Sequence, residues 1–152
     1  MTAPIPASTV PAVKAYLFAQ LDTAISGQNV KVYYAEPGPG FPDDVIWLGD
    51  TEQTYDPTQM VGSGGQGWLY EAYHQIVEVS VFRGGDTPQA VFERACQIVA
   101  QIEAVVRADP SLGGLVTTAY PAGSNYESDW SADHMGRITE AQVRIQIQTA
   151  QV

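Results

Sequence analysis

A chain of 152 residues, 45% hydrophobic and 16% charged, can bury a core of its own and is expected to form one domain, residues 1–152. A net charge of −10, with Lys14, Lys31, Arg83, Arg94, Arg107, Arg137 and Arg144 scattered along the chain, argues against binding nucleic acid or an anionic membrane, both of which need clustered cations. One cysteine rules out an internal disulfide, no run nears the ~20 apolar residues of a membrane span, and Met1–Pro6 lacks the basic start of a signal peptide, so a cytoplasm, or a particle assembled in one, is the expected setting.

In chain order, the first element is a helix from about Pro11 to Ser26. Val13, Leu17, Leu21, Ala24 and Ile25 share a face, flanked by Tyr16 and Phe18. Ser8 or Thr9 suits its cap, and Gly27 stands where a left-handed C′ residue belongs. Val30, Val32 and Tyr34 alternate with Lys31 and Tyr33 as a short strand, which Pro37–Pro42 ends. A second strand is expected at Val45–Leu48, closing at Gly49-Asp50. Residues 49–74, with the run Gly62-Ser63-Gly64-Gly65, read as a long loop.

The clearest signal follows. His74–Phe82 alternates as a strand, with Val77, Val79 and Val81 on one face. Arg83–Asp86 turns, Thr87 caps, and Pro88 opens a helix at the position where a missing N–H costs nothing. Val91, Ala95, Ile98, Val99, Ile102, Val105 and Val106 make its apolar stripe, and Asp109-Pro110 stops it. Gly113-Gly114 leads into a strand at Leu115–Tyr120, and residues 121–136 read as a second long loop. The last strand, Arg137–Gln148, points Ala141, Val143, Ile145 and Ile147 one way and Gln142, Arg144, Gln146 and Gln148 the other. The fold class expected is α+β: a single, mainly antiparallel sheet of about five strands with two helices on one face, in the order α-β-β-β-α-β-β.

Catalytic signatures are weak by comparison. His74, Asp133 and His134 lack metal-ligand spacing and suit ordinary polar roles at strand and loop ends. Cys96, mid-helix, suits packing better than nucleophilic chemistry. Asp43-Asp44, with Glu52 or Asp56, would need burial to act as an acid–base pair, and the neighbourhood reads as a solvated loop. No catalytic, cofactor or metal residue is therefore assigned, and an enzyme is not expected. Aromatic anchors in loops are enriched at interfaces, so Tyr55, Trp68, Tyr70, Tyr126 and Trp130, with Arg144 on the last strand, are the candidate contact residues.

The helical N-terminus, Val45-Ile46-Trp47-Leu48-Gly49-Asp50, the strand-turn-helix of Ile76–Pro110, Leu112-Gly113-Gly114 and the closing alternating strand together resemble the tail-terminator proteins of long-tailed bacteriophages. The resemblance covers most of the chain. It implies a structural virion protein without catalytic residues or cofactor, assembled in the bacterial host cytoplasm. Its copies would form a homo-hexameric ring at the head-proximal end of the tail tube. The ring would stop tube polymerisation and meet the head–tail connector protein, while phage DNA passes through its lumen without specific binding. Two alternatives stay open: a head-completion or connector protein of the same neck, or a small ligand-binding module or enzyme.

Overall fold

The computed structural model describes residues 8–25, 27–40, 42–57 and 69–150, with the backbone alone for 54–57, 69, 70 and 150. These form α1 (Val10–Ile25), β1 (Lys31–Tyr33), β2 (Asp44–Pro57), β3 (Leu69–Gly84), α2 (Pro88–Ala108), β4 (Thr118–Trp130) and β5 (Gly136–Ala150). The strands make one sheet in the order β1-β2-β3-β5-β4. β1 runs parallel to β2, and every other neighbouring pair is antiparallel. Both helices cover one face of this mixed sheet, as the alternation of the strands requires. The element order and class are those expected from the sequence.

α2 supplies Val91, Ala95, Ile98, Val99, Ile102 and Val106 to the core, against Val77, Val79, Val143 and Ile145 of β3 and β5. At ~1.5–3 kcal/mol for each large side chain, that stripe contributes on the order of 10 kcal/mol of gross transfer energy. α1 adds Val13, Leu17, Leu21 and Ile25, whereas Ala24 faces solvent. Gly136 lets β3 and β5 close at their end, since a Cβ there would sit 2.3 Å from the Arg83 carbonyl oxygen.

Local expectations are corrected at several points. The left-handed residue after α1 is Asn29 (φ 62°) rather than Gly27, and Asn tolerates that conformation. Thr87 occupies the N-cap of α2 but makes no side-chain cap bond. The expected loop at 49–74 is largely strand: 51–57 pair with 69–75. The break is a bulge between Leu48 and Thr51, closed by the buried Gln75 amide. Its Nε2 donates to the Gly49 carbonyl (3.1 Å) and its Oε1 accepts from the Thr51 hydroxyl (2.6 Å). Likewise the expected loop at 121–136 is strand through Trp130, paired with β5 down to Arg137. The Gly62–Gly65 run lies outside the described residues.

A buried carboxylate joins α1 to this extended hairpin. Glu71 accepts from the Ser8 hydroxyl (2.6 Å), the Thr9 N–H (3.1 Å) and the Thr9 hydroxyl (2.6 Å), and also from Gln53. The Ser8 oxygen in turn accepts from the Val10 N–H, so the start of α1 is capped through two layers of acceptors. The positive end of the helix dipole favours the charge there. Beside it, burial and the Glu71 charge push the Tyr73 phenol up to about 12, against the Thr9 hydrogen bond. Glu71→Gln replaces one accepting oxygen by a donor facing donors. It is expected to lower stability by about 1.5–3 kcal/mol in urea denaturation. An unchanged midpoint would show that α1 does not depend on this cap.

Candidate functional site

Residues that point away from the helices form an open sheet face, polar across most of its width. Register brings them into lateral rows. One row runs Lys31, Val45, Ser80, Glu140, Glu127 from β1 to β4. The next runs Tyr33, Trp47, Glu78, Gln142, Asn125. Beyond the bulge, Glu52, His74, Gln146 and Tyr120 make another. Glu78 is half-buried among other acids. Burial pushes its carboxyl up, a hydrogen bond from Gln142 (2.9 Å) opposes this, and Glu140, Asp50 and Glu36 add to the rise. Trp47, Gly49, Asp50, Glu78, Glu140 and Gln142 border a shallow depression of about 490 Å³ on this face. The face thus gathers mainly negative charge; its basic groups are Lys31 at the β1 end, Lys14 on the border of the depression and Arg144, which lies across from Gly123.

The two lateral edges differ in character. At the β4 edge, Glu127 and Asp129 are exposed, and Phe92 of α2 (41% exposed) packs its ring 5.4 Å from that of Tyr126. At the β1 edge, the Lys14 ammonium lies 4.6 Å from the ring of Tyr34, itself 46% exposed, and Lys31 lies 5.9 Å from Tyr33. The four ion pairs among the described residues all use arginines, so both lysines lack a carboxylate partner at ion-pair distance.

The candidate contact residues fall in different places. Trp130 ends β4, partly exposed, with the Arg137 guanidinium 3.6 Å above its ring and the His134 ring edge-on at 6.3 Å. Arg137 is held there by Asp86 (2.9 Å). Tyr126 is half-buried at the margin of the core, and Arg144 is exposed on the open face. Tyr55 and Tyr70 lie on paired strands rather than in a loop; their side chains, and all of Trp68, lie outside the described residues.

His74 and His134 stand at opposite ends of the sheet, and the Asp133 carboxylate is engaged by the Ser131 hydroxyl (2.6 Å) and the Met135 N–H (3.0 Å). Among the described residues no group of three His, Cys, Asp or Glu could hold a metal ion. Asp44 is buried rather than solvated. Arg83 grips its carboxylate, with Nη2 at 3.0 Å, and Arg94 Nε donates at 2.9 Å. Burial alone would raise its pKa, but the two arginines outweigh that and hold it below the ordinary carboxylate value. Arg94 also donates to the Gln28 carbonyl (2.9 Å), tying α2 to the turn after α1. The pairing of Asp44 with cations 39 and 50 residues away left no local signal in the sequence.

No family model matches the chain, and no curated protein matches it. Solved structures do. One is a chain from the virion of a native gene transfer agent particle, at 12% identity and a TM-score of 0.45, covering 94% of this chain and 99% of that one. Similarity at that level carries no information about what this chain does.

Proposed function

We propose that this protein is a structural component of a phage or phage-like virion, and specifically a tail terminator. Its copies would form a ring of six on the head-proximal end of the tail tube, arrest tube growth and present a surface to the head–tail connector. The segments that resemble that family adjoin one another: Val45–Asp50 lies on β2, Ile76–Pro110 spans β3 and α2, and the closing strand β5 pairs with β3. The observation that carries the reading is the open acidic face built on those same strands. Six copies would hold a formal charge of −60 (six times −10), and a lumen lined by that face would repel a DNA backbone rather than grip it. A head-completion protein of the same neck is the second reading, favoured by the same fold and charge. An enzyme built on Asp43-Asp44 is disfavoured, because Arg83 and Arg94 occupy both oxygens of Asp44.

Electron microscopy of the purified protein, alone and with the tail-tube protein, tests the reading. Six-fold rings, or caps on tube ends that halt growth, are the expected result. Persistent monomers that leave tube growth unchanged would transfer the role to the connector side. Trp130→Ala removes a ring already held in place by Arg137. It is expected to keep the melting profile and weaken assembly at least about tenfold, as loss of a preordered aromatic anchor does. Normal assembly by this variant would remove Trp130 from the contact.

A further inference from the structure

From the charge and register of the two outer edges of the sheet, unpaired among the described residues, we infer that a second copy of this chain docks its β1 edge, carrying Lys14, Lys31 and Tyr34, against the β4 edge carrying Glu127, Asp129 and Phe92. The observation behind this is a single lateral row. Lys31 and Glu127 are the two ends of this row, which crosses all five strands, and they lie on the same face of the sheet. A neighbour that continues the sheet along its hydrogen-bonding direction therefore brings Lys31 of one copy beside Glu127 of the next. The strand directions suit this. β1 is parallel to β2, and three antiparallel steps lead from β2 to β4, so β1 and β4 run in opposite senses and meet as an antiparallel pair.

The side chains agree with the backbone. One edge is aromatic and cationic, with lysines that form no ion pair among the described residues; the other is aromatic and anionic. Apolar contact between Tyr34 and the Phe92–Tyr126 pair would add buried area beside the charges. Among the described residues no strand pairs with the outer side of β4. Such an edge normally carries guards against indiscriminate pairing. Here they are Pro121, the irregular register between Pro121 and Gly123, and the two acids. Acids at an edge repel another copy of the same edge but accept a basic one, so the device selects a head-to-tail partner. A contact between two different patches is heterologous and closes into a ring when its rotation permits. The contact rests on the proposed ring only for that closure.

Two kinds of variant test it, each followed by sedimentation velocity across a concentration series. Lys31→Glu and Glu127→Lys, both at exposed positions, are each expected to weaken self-association at least about tenfold, and K31E/E127K together to restore it. In a Cys96→Ala background, Lys31→Cys mixed with Glu127→Cys should oxidise to a disulfide dimer, while neither alone does so. A wild-type chain that stays monomeric throughout, or oligomers indifferent to both reversals, would overturn the edge contact. In the second case the ring reading would survive with a different joint. Charge-swapped oligomers that form yet leave tube growth unchanged would support the contact and sink the terminator role instead.

Discussion

Ile98→Asp is expected to yield no folded protein. Ile98 is fully buried under α2, midway along the stripe that faces β3 and β5. The substitution forfeits roughly 2–3 kcal/mol of apolar transfer. It also places a carboxylate where no donor or cation awaits it, at a further cost of several kcal/mol. Against a total stability on the order of 5–15 kcal/mol, the sum leaves little or nothing. Far-UV circular dichroism and the soluble fraction on expression read the outcome. Ala100→Asp, on the exposed side of the same helix, should remain folded and controls for the charge itself. A soluble Ile98→Asp variant with wild-type melting would mean that α2 does not pack as described.

Asp44→Ala is expected to cost about 3–5 kcal/mol, because it strands two guanidinium groups that the fold has already gathered. Arg83 and Arg94 keep partial contact with water, at 39% and 22% side-chain exposure, which favours the lower end of that range. The pH dependence follows from the direction of the shift. The folded carboxyl titrates below the ordinary value of 3.8, so its stabilisation is complete above that value and fades as pH falls through the lower folded one. The urea midpoint of Asp44→Asn should therefore lie well below wild type at pH 7, and the gap should narrow in strong acid. A gap independent of pH would assign the loss to packing or hydrogen-bond geometry rather than charge.

Both helices and β5 were legible in the sequence because each buries one regular face, and hydrophobic period reports burial. β2 and β3 were legible only in their apolar halves. The stretches beyond the bulge, 51–57 paired with 69–75, turn Glu71 and Gln75 inward next to Tyr73, so the period-two signal disappears although the backbone pairing does not. β4 was cut short for the opposite reason. From Asn125 to Trp130 most of its side chains are exposed, and its ladder with β5 defines the strand. The edge chemistry needed register. Lys31 and Glu127 are 96 positions apart (127 minus 31), and only the order of the strands reveals that they end one row.

The β3–β5 ladder runs unbroken through fifteen pairs, from Tyr70–Ala150 to Gly84–Gly136. Its bonds lie perpendicular to the strands. Tension that pulls one strand lengthwise past the other is therefore shared by the whole ladder, which must rupture together, whereas peeling from one end would break it a bond at a time. A part that transmitted axial pull through these two strands would be mechanically stiff in that direction and compliant across it.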